Sequence, residues 1–234
     1  MQFFYAPAAE PNSEFINLPQ EEAHHAAHVL RSKIGDAIHI LNGRGWYFMG
    51  EIYSLNKNEW VVKVMEENFS PKPTPEIHIA LALLKKRDRI EWFVEKAVEL
   101  GANAITIFTS HHTEKKGLQQ ERLLKIATTA LKQSGNRWLP EIAELTSFEK
   151  LIYQDFSGEK YIAYCPVDSI SHLKKQYAIG NDALVLIGPE GDFTDKEVAL
   201  AKEKDFKEIS LGNQRLRAET AALYTLNVIR VMNE

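Results

Sequence analysis

A chain of 234 residues with 44 % hydrophobic and 26 % charged residues has ordinary globular composition, enough for one large domain or two unequal ones, which excludes a collagen-like, coiled-coil or disordered protein. No apolar run approaches the roughly 20 residues of a membrane-spanning helix, and the Met1–Tyr5 start lacks the basic and apolar stretches of a signal peptide. The single cysteine, Cys165, excludes an internal disulfide and a cysteine-based zinc site, so the chain is expected to be cytoplasmic, with no membrane association. The net charge of −4 is uneven: residues 77–137 carry 11 Lys/Arg against 6 Asp/Glu, and the segments on either side are acidic. A basic middle segment is either a solvated helix face or a footprint for phosphates, and charge alone does not choose.

In chain order, Glu21–Leu30 has helical spacing, and Ala37–Leu41, Tyr47–Leu55 and Trp60–Met65 read as strands separated by the turn sequences Asn42-Gly43-Arg44-Gly45 and Asn56-Lys57-Asn58. About 70 residues of short strands with one helix predict a small β-barrel over 1–70. Pro71, Pro73 and Pro75 each fix their own φ and keep the preceding residue extended, so 71–76 reads as a linker. From 77 to 234 the texture alternates. Ile77–Leu84 is a strand buried on both faces, Arg87–Leu100 a helix stopped by Gly101, Ala104–Phe108 a strand and Glu121–Leu131 a helix. Strands follow at Tyr161–Cys165, Ala183–Ile187 and Glu208–Leu211, and helices at Thr194–Lys204 and Ala218–Met232. This alternation predicts an α/β domain with a parallel sheet.

Two loops stand out. The strand Ala183–Ile187 runs into Gly188-Pro189-Glu190-Gly191-Asp192-Phe193, then into a helix with Thr194 and Glu197 spaced as a capping box. Ligands of parallel sheets sit at the carboxyl ends of strands, and glycine lets a backbone approach closely, but this is neither a dinucleotide fingerprint nor a P-loop. An ordinary strand-to-helix turn is the alternative. One helix and one strand later, Leu211-Gly212-Asn213-Gln214-Arg215-Leu216-Arg217-Ala218-Glu219-Thr220 leads into the last helix. Glu219 or Thr220 could favour that helix start by charge or capping. Arg215 and Arg217 gain nothing from its positive end and need another partner, a phosphate or a carboxylate. His24 and His28, at i and i+4, lack a third ligand and fit a surface or RNA-facing helix better than a metal site; His111-His112 sits in a strand-end loop.

Gly188-Pro189-Glu190-Gly191 followed by Leu211-Gly212 and Leu216-Arg217-Ala218-Glu219-Thr220-Ala221 resembles the RsmE family of ribosomal RNA methyltransferases, of the SPOUT superfamily. The resemblance spans nearly the whole chain in order: Lys86, Arg89, Glu91, Lys96 and Glu99-Leu100-Gly101, then Gln133-Ser134, Arg137 and Pro140-Glu141-Ile142, and in the first segment His28-Val29-Leu30-Arg31 and Gly35-Asp36. Asp192 stands where the family usually has a second glycine, and Gln214-Arg215 where it usually has arginine then isoleucine.

The resemblance implies a C-terminal trefoil-knot domain with a parallel sheet after a PUA-like β-barrel, S-adenosylmethionine as cofactor, ribosomal RNA or the small ribosomal subunit as partner, and a homodimer. It implies methylation of nitrogen 3 of a uridine in 16S RNA. It places Gly188, Pro189, Glu190, Gly212 and Thr220 at the cofactor, with backbone groups near Leu186, Gly191, Leu211 and Leu216 on its adenine. It implies a catalytic role for Arg217, for Glu219 either proton acceptance or the holding of Arg217, and RNA contacts for Arg31, Lys86, Arg89 and Arg137. Two alternatives stay open at this point: a non-catalytic RNA-binding or ribosome-assembly protein, and a related enzyme acting on another base or on ribose.

Overall fold

The computed structural model describes residues 2–56, 59–113, 117–164 and 170–234. The expected Asn56–Asn58 turn, the basic residues after His111-His112 and the Cys165 end of one strand fall on or beside residues outside these. The chain forms two units, Met1–Lys72 with Thr128–Leu139, and Pro73–Ala127 with Pro140–Glu234.

The first unit is a five-stranded sheet in the order β1-β3-β4-β5-β2, built from β1 (Phe3–Tyr5), β2 (Phe15–Leu18), β3 (Ala37–Leu41), β4 (Trp46–Asn56) and β5 (Glu59–Phe69). β1 runs parallel to β3 and the other pairs are antiparallel. The register of β4 against β5 shifts twice, at Met49/Gly50 and Ile52/Ser54, and such bulges increase the local twist of a long hairpin. Phe4, Ile16, Ile38, Ile40, Phe48 and Ile52 form its core. Helix α1 (Gln20–His25) passes into a π-helical turn, Ala26–Leu30, and stops at Arg31 in a left-handed conformation, φ 55°. The edge strands β1 and β2, three and four residues long, are too short for alternation to reveal.

No feature of composition sends 128–139 back to this unit; a charge does. Glu22 is buried, and Lys132 donates to its Oε1 at 2.6 Å, supplying the opposite charge that a buried carboxylate requires. Gly45 N donates to Arg137 O at 2.8 Å, and Trp138 Nε1 to Ser70 O at 2.8 Å.

The second unit contains β6 (Ile77–Ala82), α2 (Arg87–Glu99), β7 (Ala104–Thr109), the first half of α3 (Gln120–Ser134), β8 (Glu141–Ile142), β9 (Thr146–Ser147), α4 (Phe148–Ile152), β10 (Glu159–Ala163), α5 (Leu173–Gln176), β11 (Ala183–Ile187), α6 (Asp195–Glu203), β12 (Lys207–Ile209) and α7 (Ala218–Met232). Its sheet runs β12-β10-β11-β6-β7-β8, with β9 also on β7, and every pair is parallel. β11 is buried along its whole length, as its unbroken apolar sequence predicts. Successive side chains of a strand point to opposite faces. Ala80, Ala82, Leu184 and Leu186 accordingly pack with Phe148, Phe193, Val198 and other residues of α4 and α6, while α7 packs against β6, β11 and α2.

His78 lies in β6 with Nε2 2.8 Å from Thr106 Oγ1, and burial pushes its pKa down to about 4. The unfolded chain binds a proton near pH 6.5 that the folded chain refuses until about pH 4. This group's contribution to stability is therefore complete above about pH 6.5 and is lost as pH falls towards 4, a change on the order of 3 kcal/mol. Thermal melts of the wild type and of His78→Gln between pH 7 and pH 4 should show a steeper acid loss for the wild type. Parallel curves would contradict the buried neutral imidazole.

Candidate functional site

Three parallel strands, β10, β11 and β12, end side by side, and a cavity of about 390 Å³ opens at their carboxyl ends. Its floor is apolar, from Ile187, Ile209, Leu211 and Leu216. Its rim is charged, from Arg89, Glu190, Asp192, Arg215 and Arg217. The volume lies in the range of small-molecule sites, and an apolar slot with a few convergent polar groups is their usual make-up.

The loop after β11 is shaped by its own sequence. Asp192 N donates to Pro189 O at 3.0 Å, closing a turn over Glu190 and Gly191. Asp192 sits at φ 62°, the left-handed region where glycine is usual and aspartate is among the better tolerated alternatives, and its Oδ1 accepts from Phe193 N at 2.8 Å. Aspartate is thereby accommodated at a position whose backbone favours glycine. The Phe193 ring then enters the core beside Phe108 and Phe148, and the expected capping box starts α6: Glu197 N donates to Thr194 Oγ1, and Thr194 N to Glu197 Oε2. Glu197 Oε1 also accepts from His111 N at 2.9 Å, and His112 Nδ1 lies 3.0 Å from Asp192 O, so the histidine pair braces this loop from the end of β7.

The loop after β12 turns at Gly212, whose φ of 113° excludes most side chains; its N–H donates to Ser210 Oγ at 3.2 Å. No heavy atom of a non-adjacent residue lies within 4 Å of where its Cβ would stand, so one edge of the loop is open. Gly188 differs from the expectation that both glycines clear space for a ligand. A Cβ there would meet the Phe193 ring at 3.1 Å, so the missing side chain makes room for the protein's own core. Helix α7 begins after Arg217 with no side-chain cap, so neither Glu219 nor Thr220 caps it.

Glu219 is instead buried against Arg89. Arg89 Nε donates to Glu219 Oε1 at 2.7 Å, Nη2 lies 2.7 Å from Oε2, and Nη1 donates to Glu190 Oε1 at 2.9 Å. The side chains of Arg89, Glu190 and Glu219 are 19 %, 31 % and 7 % exposed. The bond to Glu219 is the main reason that the guanidinium's pKa is raised. Arg215 and Arg217 are exposed, and their side chains make no hydrogen bond or ion pair with any described residue; the Arg217 carbonyl accepts from Ala221 N at 2.8 Å.

Of the residues singled out from sequence, Gly188, Pro189, Glu190, Leu211, Gly212, Leu216 and Arg217 line the cavity. Leu186 belongs to the core, Gly191 packs against His112, and Thr220 is exposed away from the lining. Of the residues expected on RNA, Arg31 and Lys86 are exposed, while Arg137 lies over the Tyr47 ring and donates from Nη1 to Asn68. Arg89 lines the cavity, with its donors turned to two carboxylates. Sequence reasoning missed Ala163 and Tyr164, the latter held by its hydroxyl to Asp195 Oδ1 at 3.0 Å. The strand-end rule that found the other two loops applies equally to β10 and would have found them. The His24 and His28 rings lie 4.3 Å apart at a tilt of 42°, and the described residues hold no group of three or more potential metal ligands.

Residues 70–230 match the family model of the RNA methyltransferase domain, and residues 18–65 that of the RNA methyltransferase PUA domain. The chain is similar to ribosomal RNA small subunit methyltransferase E of Bacillus subtilis, 31 % identical over 94 % of this chain and 91 % of that protein. It is also similar to the Synechocystis protein of the same name, 30 % identical over 94 % of this chain and 74 % of that one. Among solved structures it superposes on a probable rRNA methyltransferase from Porphyromonas gingivalis with a TM-score of 0.91 at 35 % identity, covering 100 % and 98 % of the two chains. A Legionella pneumophila putative methyltransferase solved with bound SAM gives a TM-score of 0.88 at 27 % identity over 99 % and 97 %. The chain belongs to the ribosomal RNA small subunit methyltransferase E family of RNA methyltransferases.

The two loop positions should respond differently to substitution. Gly212→Val keeps open space but strains the backbone, and should lower stability by about 1–3 kcal/mol. Asp192→Gly removes a left-handed non-glycine residue and should change stability by less than about 1 kcal/mol. Urea unfolding of both variants checks this, and equal effects would contradict the assignment of strain.

Proposed function

We propose that this protein transfers a methyl group from S-adenosylmethionine to nitrogen 3 of a uridine in small-subunit ribosomal RNA. The observation that carries the reading is the cavity itself: apolar floor, two glycine-bearing strand-end loops, and at its mouth two arginines whose side chains have no partner among the described residues, in a chain of this family. The residues present fit the cofactor. The walls formed by Gly188, Pro189 and Glu190 and by Leu211, Gly212 and Leu216 would hold it. When bound, the cofactor supplies an electrophilic methyl group on a sulfonium.

The chain's own work is on the acceptor. A uridine imide nitrogen is a poor nucleophile until its proton leaves, so the protein must orient the ring and stabilise the negative charge that develops on its oxygens. Arg217 is the residue assigned to that charge. Glu219, expected from the resemblance either to take the proton or to hold Arg217, is assigned neither role: its carboxylate is buried and turned to Arg89, not to Arg217. The proton leaves to solvent. Arg31, Lys86 and Arg137 are assigned to RNA phosphates, with the first unit as the RNA-binding unit. A homodimer acting in the cytoplasm, one subunit's RNA-binding surface completing the other's site, completes the proposal.

Arg217→Lys keeps the charge and loses the planar fork, so the single-turnover methylation rate should fall about a hundredfold while calorimetric affinity for S-adenosylmethionine stays within about threefold. Raising the pH should restore part of the rate, because solvent then removes the imide proton more readily. Unchanged rates for Arg217→Lys and Arg217→Ala at saturating RNA would remove the charge-stabilising role. No heat with S-adenosylmethionine in the wild type would favour a non-catalytic RNA-binding protein.

Arg31→Glu with Lys86→Glu should weaken RNA binding and flatten its salt dependence by about two counterions, as loss of two phosphate contacts requires. A wild-type salt slope in this double variant would place the RNA elsewhere.

A further inference from the structure

Three elements far apart in sequence meet at one guanidinium. Arg89 stands in the first turn of α2, a helix fixed to the unit by the buried Ile90, Phe93, Val94, Ala97 and Val98. Glu190 belongs to the turn after β11, and Glu219 to the first turn of α7. The two carboxylates therefore come from the loop after β11 and from the start of α7, each of which contributes residues to the cavity lining, and the planar fork of one arginine reaches both, at 2.9 Å and 2.7 Å. Nε and Nη2 face Glu219 side by side while Nη1 faces Glu190, a division of donors that an ammonium does not reproduce.

We infer that Arg89 is a positioning residue that sets the distance between the two loop walls before any ligand enters, so that S-adenosylmethionine meets a site already shaped. This rests on the cofactor reading above for the identity of the ligand, but the clamp itself is a property of the ligand-free chain. Arg89 acts through Glu190 and Glu219, and its donors are committed to them rather than to RNA. Preorganisation of this kind raises affinity by removing the cost of ordering loops at the moment of binding.

The test compares wild type, Arg89→Lys and Glu190→Gln by two measurements. Hydrogen exchange on ligand-free protein should show faster exchange in Arg89→Lys at the amides of both 188–193 and 212–221, with the five-stranded unit unchanged. Glu190→Gln, at a part-exposed position, should release 188–193 alone. Calorimetry should show that Arg89→Lys lowers affinity for S-adenosylmethionine roughly tenfold or more, and by the same factor for S-adenosylhomocysteine, which lacks the sulfonium charge but keeps the ammonium and carboxylate. Loss confined to S-adenosylmethionine would overturn the proposal, because the defect would then lie at the sulfonium and not in the shape of the walls. Wild-type exchange in both segments of Arg89→Lys would overturn it outright. If the wild type binds neither ligand, the cofactor reading fails while the exchange comparison still decides the clamp.

Discussion

One buried carboxylate, Glu219, and the single guanidinium that neutralises it set the arrangement of the second unit. Glu219 is 5 % exposed and Arg89 comes from another helix, so α2 and α7 must dock with their first turns together. Removing one partner of such a pair typically costs about 3–5 kcal/mol, because the other charge stays buried. The far ends of the same helices are joined as well. Arg230, near the end of α7, donates to Gly101 O just after α2, to Asn103 Oδ1 at 2.6 Å and to Pro75 O at 3.1 Å. Pinned at both ends, the two helices run side by side in the same direction, as helices following strands of a parallel sheet must on one of its faces.

The opposite side of the cavity depends on a second carboxylate with two tasks. Glu197 completes the capping box of α6 and also accepts from His111 N. A residue whose sequence signature concerns only a helix start thus ties the end of β7 to the loop after β11. With Phe193 driven into the core between Phe108 and Phe148, the backbone from Gly188 to Thr194 is fixed from below and from the side. Around Gly212, by contrast, the space where a side chain would stand is open.

Much of this was legible from periodicity and capping alone. The unbroken apolar run Ala183–Ile187 announced a strand buried on both faces, the Ile90, Phe93, Val94, Ala97, Val98 spacing announced the buried face of α2, and Thr194 with Glu197 marked the start of α6. Local signals cannot carry the rest. The ion pair of Arg89 spans 101 residues to Glu190 and 130 to Glu219, and nothing in the spacing distinguishes an arginine that meets two carboxylates from one that faces RNA. The return of Thr128–Leu139 to the first unit rests on the long-range pair Glu22 and Lys132. Periodicity also states which stretches are strands, and is silent on how a chain is threaded, which is why only the resemblance spoke to topology.

The same pairing bears on the charge at the cavity mouth. Arg215 and Arg217 stand at the positive end of α7, where the helix dipole disfavours them, and carboxylates lie on the same rim. Of these carboxylates, Glu190 is taken up by Arg89. Asp192 turns its Oδ1 to the amide of Phe193 and so serves the loop's own backbone. Half-buried Arg89 thereby occupies a rim carboxylate that is then not offered to the two arginines at the mouth. An exposed pair of guanidiniums against a helix dipole is an unfavourable arrangement in the ligand-free chain, and it becomes favourable when an anion arrives. The charge distribution that looks weakly acidic over the whole sequence places two exposed guanidiniums where the strands β10, β11 and β12 end in a cavity, an arrangement that favours negative charge.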